Sequence, residues 1–263
     1  MPAVSVMGGG RFLGVEEAAV SSPRGDFASE GGRAIGYLGA RMQLLTPVLV
    51  EGVGRPRLFV HVGAATTFDE EDRVQNEGAP GGIVIPIIDN NSDGIPDRPT
   101  PVAAIQGQGS GTGAKTEPPS VMAGIGIDFE LRAADRIFHV KPSIEWIMED
   151  ERLKTVTGIA EPLTPGLLVC PCRTVLARGV ETEARHGIGP GLEVEVEAGR
   201  VGPLRLGFWA GGALYYQLDR KMRVEAVGAW SDASGTVVSR SDYTRLRWDY
   251  RAGLGLRFHW LPE

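Results

Sequence analysis

The chain is short of several things at once, and each shortage closes a class of explanation. Its 263 residues include two cysteines, Cys170 and Cys172, too few for a disulfide framework. No stretch approaches 18 consecutive apolar residues, so no transmembrane helix is expected. Basic residues are not in excess: 27 Lys and Arg stand against 33 Asp and Glu, which leaves no nucleic-acid footprint. No glycine-rich phosphate loop follows a strand and opens a helix. The opening residues, MPAVSVMGGGRFLGVEE, lack a basic segment followed by an apolar run of signal-peptide length. For an exported protein, the expectation is a leader that lies upstream or was removed.

Glycine is what the sequence has in plenty. Its 37 residues are roughly twice the average usage of about 7%. An interior glycine costs a helix about 1 kcal/mol, so a mostly helical fold is disfavoured. Collagen is excluded by the lack of a Gly-X-Y period. An apolar fraction of 42% with a net charge of −6 argues against wholesale disorder.

The positive signal is strict alternation, a period of two, over long segments. From Arg245 to Trp260, Leu246, Trp248, Tyr250, Ala252, Leu254, Leu256, Phe258 and Trp260 share one face. Arg245, Arg247, Asp249, Arg251, Gly253, Gly255, Arg257 and His259 share the other. The pattern recurs at 120–132, 137–150 and 186–198, and less cleanly at 34–48, 57–68 and 203–217. The weakest instance is 3–15, where Val4, Val6 and Phe12 oppose Arg11. Eight strands are therefore expected. The connections at 49–56, 133–136 and 199–202 are short, while those at 16–33, 69–119, 151–185 and 218–244 are long. Long and short alternate, so an up-and-down meander would gather four long loops at one end and tight turns and both termini at the other.

Two architectures share this pattern. An outer-membrane barrel turns its apolar face to lipid, and a lipocalin-like soluble barrel turns it to a ligand cavity. Periodicity alone does not separate them. Three features favour the membrane barrel: the loop asymmetry, the glycines among the charged face, and aromatics near strand ends (Phe129, Trp146, Tyr216, Trp248, Phe258, Trp260).

On these residues the chain resembles the small eight-stranded outer-membrane barrels of Gram-negative bacteria, the OmpA transmembrane-domain, OmpX and OmpW type. The resemblance is architectural and covers almost the whole chain. It implies an all-β, eight-stranded antiparallel up-and-down transmembrane barrel forming one domain over 1–263, in the outer membrane. It also implies contact with outer-membrane lipids and lipopolysaccharide, and with the barrel-assembly machinery during biogenesis. That machinery reads an aromatic near the end of the last strand; Phe258 and Trp260 suit the role, although Leu261-Pro262-Glu263 follow.

The candidate chemistry sits on the charged face. Arg11, Arg41, Arg132, Lys141, Arg205, Arg245, Arg247, Arg251 and Arg257 oppose Asp128, Glu130, Glu145, Glu193, Glu195, Glu197 and Asp249. Buried charges must pair, and a narrow barrel is filled by its own side chains, so an ion-paired plugged interior is expected. A second candidate is the loop Asp89-Asn-Asn-Ser-Asp-Gly-Ile-Pro-Asp97, in which Asp89, Asn91, Asp93, Ile95 and Asp97 match calcium-loop positions. It is similar to the loops of thrombospondin type 3 and dockerin repeats, but Thr100 stands where a bidentate acid is expected, so any Ca2+ site would be weak. Cys170-Pro171-Cys172 makes neither a zinc site nor an unstrained disulfide.

No catalytic constellation emerges. His139 and Ser143 share a strand face but lie roughly 13 Å apart at about 3.3 Å per residue. The expected function is non-enzymatic: a structural or surface-interaction protein whose loops meet an unknown extracellular partner. A narrow channel for small solutes and a soluble lipocalin-like binder are the alternatives.

Overall fold

Alternating side chains commit a segment to extended backbone whose two faces meet different surroundings. The computed structural model bears this out. It describes the chain apart from Arg24, Val53, Ala134 and residues 69–71, 77–86, 89–97, 100–106, 163–171 and 261–263. For 25–30, 33, 72–76, 87–88, 98–99, 107–108, 162 and 172 it describes the backbone alone. The strands are β1 (Pro2–Ser22), β2 (Gly25–Leu45), β3 (Arg57–Phe68), β4 (Asp72–Asn76), β5 (Ile87–Ile88), β6 (Arg98–Pro99), β7 (Gly107–Ala133), β8 (Arg136–Pro162), β9 (Cys172–Val201), β10 (Leu204–Gln217), β11 (Lys221–Ala229), β12 (Thr236–Arg245) and β13 (Trp248–Trp260). An antiparallel sheet of eleven holds all but β5 and β6, which pair with each other.

Eight of these strands close on themselves. The pairings run β1–β2–β3–β7–β8–β9–β10–β13 and back to β1, every one antiparallel. Followed partner by partner, Tyr216 leads through Ile188, Trp146, Ala123, Val62, Met42, Val4 and Phe258 to Leu206. One circuit thus returns to β10 ten residues from its start. Set against eight strand spacings, that stagger tilts the strands by about 40° from the ring axis.

Burial settles which face turns inward. Along β1, Ala3, Ser5, Met7, Arg11, Leu13 and Val15 are buried while Val4, Val6 and Phe12 are exposed. On the other ring strands the exposed set includes Leu38, Met42, Leu58, Val60, Val62, Ile125, Ile144, Leu192, Phe208, Leu254 and Leu256. The buried positions of the same strands include the charged residues Arg41, Asp128, Lys141, Glu145, Glu193, Glu195, Arg205, Asp249, Arg251 and Arg257. The apolar face therefore does not line a cavity, and the lipocalin-like arrangement is not adopted. Aromatics band this apolar exterior. Near one level are Phe12 stacked on Tyr250 (4.7 Å), Tyr216 edge-on to Trp248 (5.1 Å), and Trp146 over His186 (5.8 Å). Phe129, Phe258 and Trp260 lie toward the tight turns. The thirteen residues from Trp248 to Trp260 span about 30 Å along the axis once the tilt is allowed for.

The expected long loops are corrected in large part to wall. Residues 16–22 and 25–33 are the upper halves of β1 and β2, with Pro23 in a turn after β1. Most of 151–185 continues β8 and β9, 107–119 opens β7, and 218–244 contains the β11–β12 hairpin. That hairpin takes over the wall where β10 and β13 stop: β12 pairs with β1 over Val15–Ser21, and β11 meets β9 at Val227 and Arg178. The expected unbroken strand 245–260 is likewise corrected, since Leu246 and Arg247 separate β12 from β13. The strand expected over 34–48 ends at Leu45, two residues before Pro47.

The extension is hidden in the sequence because its polarity is reversed. In β11, Met222, Val224 and Ala226 point inward while Lys221, Arg223 and Glu225 point out. The outward charges are neutralised across strands, Arg223 by Asp242 (2.6 Å) and Arg240 by Glu225 (2.9 Å). Inside, Val15, Ala18, Ala114, Leu153, Met222, Val224 and Tyr243 form an ordinary apolar core. Ladder irregularities gather where the polarity changes: at Val15–Ala18 in β1, at Glu117–Val121 in β7, and at the β12–β13 break. In β1 the irregularity shifts the inward positions from odd to even, Val15 to Ala18 and Val20. In β7 it contains Pro118 and Pro119, which have no N–H to donate to a ladder.

Candidate functional site

The interior of the ring is a column of side chains ordered by the strand register. Nearest the tight turns, Phe59 packs with Ala3 and Leu45 on one side. Beside them lies a first ionic layer from β7, β8, β9, β10, β13 and β2. Lys141 Nζ donates to Glu195 Oε2 at 2.6 Å, and Arg257 bridges Glu195 (2.8 Å) and Glu193 (2.6 Å). Arg41 pairs with Glu193, and His259 Nε2 meets the other oxygen of Glu195. His139 links Asp128 (2.9 Å) to Glu197 (3.1 Å), and Arg205 closes on Glu197 at 2.7 Å. Four fixed cations (Arg41, Lys141, Arg205, Arg257) thus face four carboxylates (Asp128, Glu193, Glu195, Glu197). The Lys141 and Glu195 side chains have no solvent exposure at all.

A softer layer follows. The guanidinium groups of Arg41 (5.5 Å) and Arg257 (5.4 Å) both approach the Trp209 ring, whose face attracts them. Arg251 sits 4.0 Å over the Tyr37 ring and donates to the sulfurs of Met7 and Met122. Glu145 accepts from Tyr215 (2.9 Å) and Ser143 (3.2 Å). The space left between Tyr37, Glu145, Trp209, Tyr215 and Arg251 is about 10 Å3, room for one water at most.

Above it comes a second ionic layer. Arg11 pairs with Glu149 and with Asp249 (2.5 Å), and Arg245 with Glu149 (2.8 Å) and Glu151 (2.9 Å). Arg185 reaches Glu151 at 3.2 Å, and Gln217 donates to Asp249 at 2.8 Å. Three cations again face three carboxylates. Beyond the apolar core of the extension, Thr157 ties Ser110 (3.2 Å) to Ser239 (2.9 Å), and Ile159, Val175 and Val237 cap the column.

Of the residues expected in this network, Lys141, Glu145, Glu193, Glu195, Glu197, Arg205, Asp249, Arg251 and Arg257 are brought together as described. Two expectations are corrected. Arg132 lies at the mouth beside the tight turn, its side chain 72% exposed, 3.4 Å from Glu130. Arg247 is exposed, because the break at Leu246–Arg247 turns it out of the inward register. Arg185, Glu149 and Glu151 belong to the column but were not expected there. The first and last fell in stretches expected to be loops, although both keep the period of two set by Gly187 and Glu145. The candidate calcium residues Asp89, Asn91, Asp93, Ile95 and Asp97 lie outside the described residues, as does Cys170. No cluster of three or more metal-ligating side chains occurs among the described residues. Phe258 and Trp260 both stand on the outward face of β13.

No family model and no curated protein matches this chain. Among solved structures it is similar to a major outer membrane protein from Thermus thermophilus. The identity is 14% over 95% of this chain and 98% of that one, with a TM-score of 0.26. So low a score carries no function across.

Proposed function

We propose that this protein is an eight-stranded transmembrane β-barrel of a bacterial outer membrane, non-enzymatic, with a structural and surface-interaction role. The observation that supports this most directly is the reversal of polarity along one continuous wall. Below the aromatic level the wall is apolar outside and ionic inside, as lipid contact requires. Above it the wall is charged outside and apolar inside, as water contact requires. On this reading one membrane boundary lies at the Phe12, Tyr216, Trp248 and Tyr250 level, with the extension standing on the outer side, and the reversal of polarity there supports it. Phe258 and Trp260 then lie at the inner boundary, where the assembly machinery meets the last strand.

The interior supports a plugged barrel over a channel. Two balanced ionic layers, an aromatic layer and an apolar core fill the column in series, and each buried pair is costly to open. The extension offers an external partner a rigid, charge-neutralised surface; calcium binding at 89–97 remains part of the proposal. Reconstitution in planar bilayers tests the plug. The expected result is no unitary conductance above background, and steady ion-selective openings would favour the narrow-channel alternative.

A further inference from the structure

One imidazole of the first ionic layer is placed so that hydrogen bonding dictates its charge. His139 Nδ1 meets Asp128 Oδ1 at 2.9 Å and Nε2 meets Glu197 Oε1 at 3.1 Å, and the ring has no solvent exposure. A carboxylate oxygen is an acceptor, and a neutral imidazole has only one N–H to give. Both contacts are satisfied together when the ring carries two protons and a positive charge. His259 is the contrast. Its Nε2 alone meets a carboxylate, that of Glu195 at 2.5 Å, while Nδ1 has no partner among the described residues. One N–H suffices there.

The three groups stand on three successive strands: Asp128 on β7, His139 on β8 and Glu197 on β9. The bond to Asp128 crosses the β7–β8 seam where its ladder is interrupted. Paired residues run to Gly126 and Ser143 and resume at Phe129 and Val140. Pro142 lies in that gap and has no N–H to offer β7. A side-chain bond thus spans the seam where backbone bonds are missing. Asp128 has no other ion-pair partner among the described residues, and its Oδ2 is buried and unbonded. Glu197 is 14% exposed, which gives the shared proton a route to water at the tight-turn mouth.

The other charged groups around the ring are committed elsewhere. Glu130 of β7 is shared by Arg55, Arg57 and Arg132. Lys141 of β8 and Arg257 of β13 hold Glu195 of β9. Arg205 of β10 closes on Glu197, and His259 of β13 stacks on His139 at 6.4 Å. None of these cations forms an ion pair with Asp128. Loss of the second proton therefore removes the charge from both His139 bonds and turns a ring lone pair against one carboxylate. A buried acceptor left without a donor is costly.

We propose that His139 is a proton-held clasp at the tight-turn mouth, closed while the ring is doubly protonated and loosening the β7–β8 seam when one proton leaves. The clasp depends on the ring of strands and its register, whatever surrounds the barrel. Nitrogen-15 NMR of histidine-labelled protein in micelles reads the imidazole directly, and His139→Gln identifies its signals by their loss. Near about pH 6.5, the ordinary midpoint of a free imidazole, both His139 nitrogens should carry protons. As the pH is raised, loss of one ring proton should coincide with a fall in amide-exchange protection over 127–131 and 137–141. After correction for the intrinsic rate, that fall should be about tenfold, the effect of one pH unit of proton linkage. His139→Gln should show no such fall. Where that variant does not fold, Asp128→Asn keeps an acceptor but removes a negative charge, so the ring should lose its proton at lower pH than in the parent. A singly protonated ring near neutral pH, as a protonated Asp128 would produce, overturns the clasp. So does protection that stays unchanged when the ring proton is lost, or a ring that keeps both protons throughout the titration.

Discussion

Glu195 shows what the interior asks of a single residue. One carboxylate holds Lys141, Arg257 and His259 with no exposure to solvent. The carboxylate has space only because position 207 on β10 is glycine: a Cβ there would strike the Glu195 side chain. Neutralising it strands buried cations, so Glu195→Gln should cost about 3–5 kcal/mol in urea unfolding from micelles. Arg132→Ala, at the exposed mouth, should stay within about 0.5 kcal/mol. Equal losses for the two would show that the ionic layer does not bear the load assigned to it. Arg132 and Arg247 also mark how far alternation can be trusted. Both keep the correct parity, but parity names a face and says nothing of where a strand ends or breaks.

At the scale of elements, the two ends of the wall make opposite demands on similar positions. Leu254 on β13 and Val238 on β12 both point outward and are well exposed. Leu254 lies between the aromatic levels, and Val238 lies on the extension. Leu254→Arg should destabilise by about 2–4 kcal/mol in bilayer-based unfolding, and Val238→Arg should fall within about 0.5 kcal/mol. Similar costs at both sites would remove the proposed boundary. The β11–β12 hairpin is the element that builds the apolar core of the extension. Met222→Asp puts an unpaired charge into that core, so proteolysis of β11, β12 and the adjoining end of β9 should accelerate. The ring below should keep its resistance, because its ladders do not include β11. Loss of both together would mean that ring and extension unfold as one unit. The hairpin is legible in part, since KMRVEAV alternates as cleanly as the ring strands. Its charged face is the solvated one, so the same alternation reads there as a loop.

For the whole molecule, closure is the dominant fact. A ring with no free edge cannot unzip from one side, and its backbone groups are satisfied where water is excluded. Unheated protein in dodecyl sulfate should therefore migrate as a compact species and shift on boiling. An unchanged position would argue against a closed, detergent-resistant ring. A ring of only eight strands encloses a narrow bore, which explains why so many inward positions are small. The large side chains that do point inward (Trp209, Tyr37, Tyr215, Arg257) occupy it almost completely.

The sequence by itself determined the period of two, the two faces of the ring strands, the core of each strand and the order of tight and long connections. Those are local consequences of alternating chemistry along an extended chain. Only the tertiary structure decided which face turns inward, because an alternating strand is the same object whichever side meets the solvent. It also decided that the long connections are wall, that Arg185 and Glu151 complete an ionic layer, and that Arg132 and Arg247 do not. Those outcomes depend on partners from 34 to more than 90 residues away, such as Glu151 with Arg185 and with Arg245. Pairings at that range are set by strand register and ring closure, which no single segment contains.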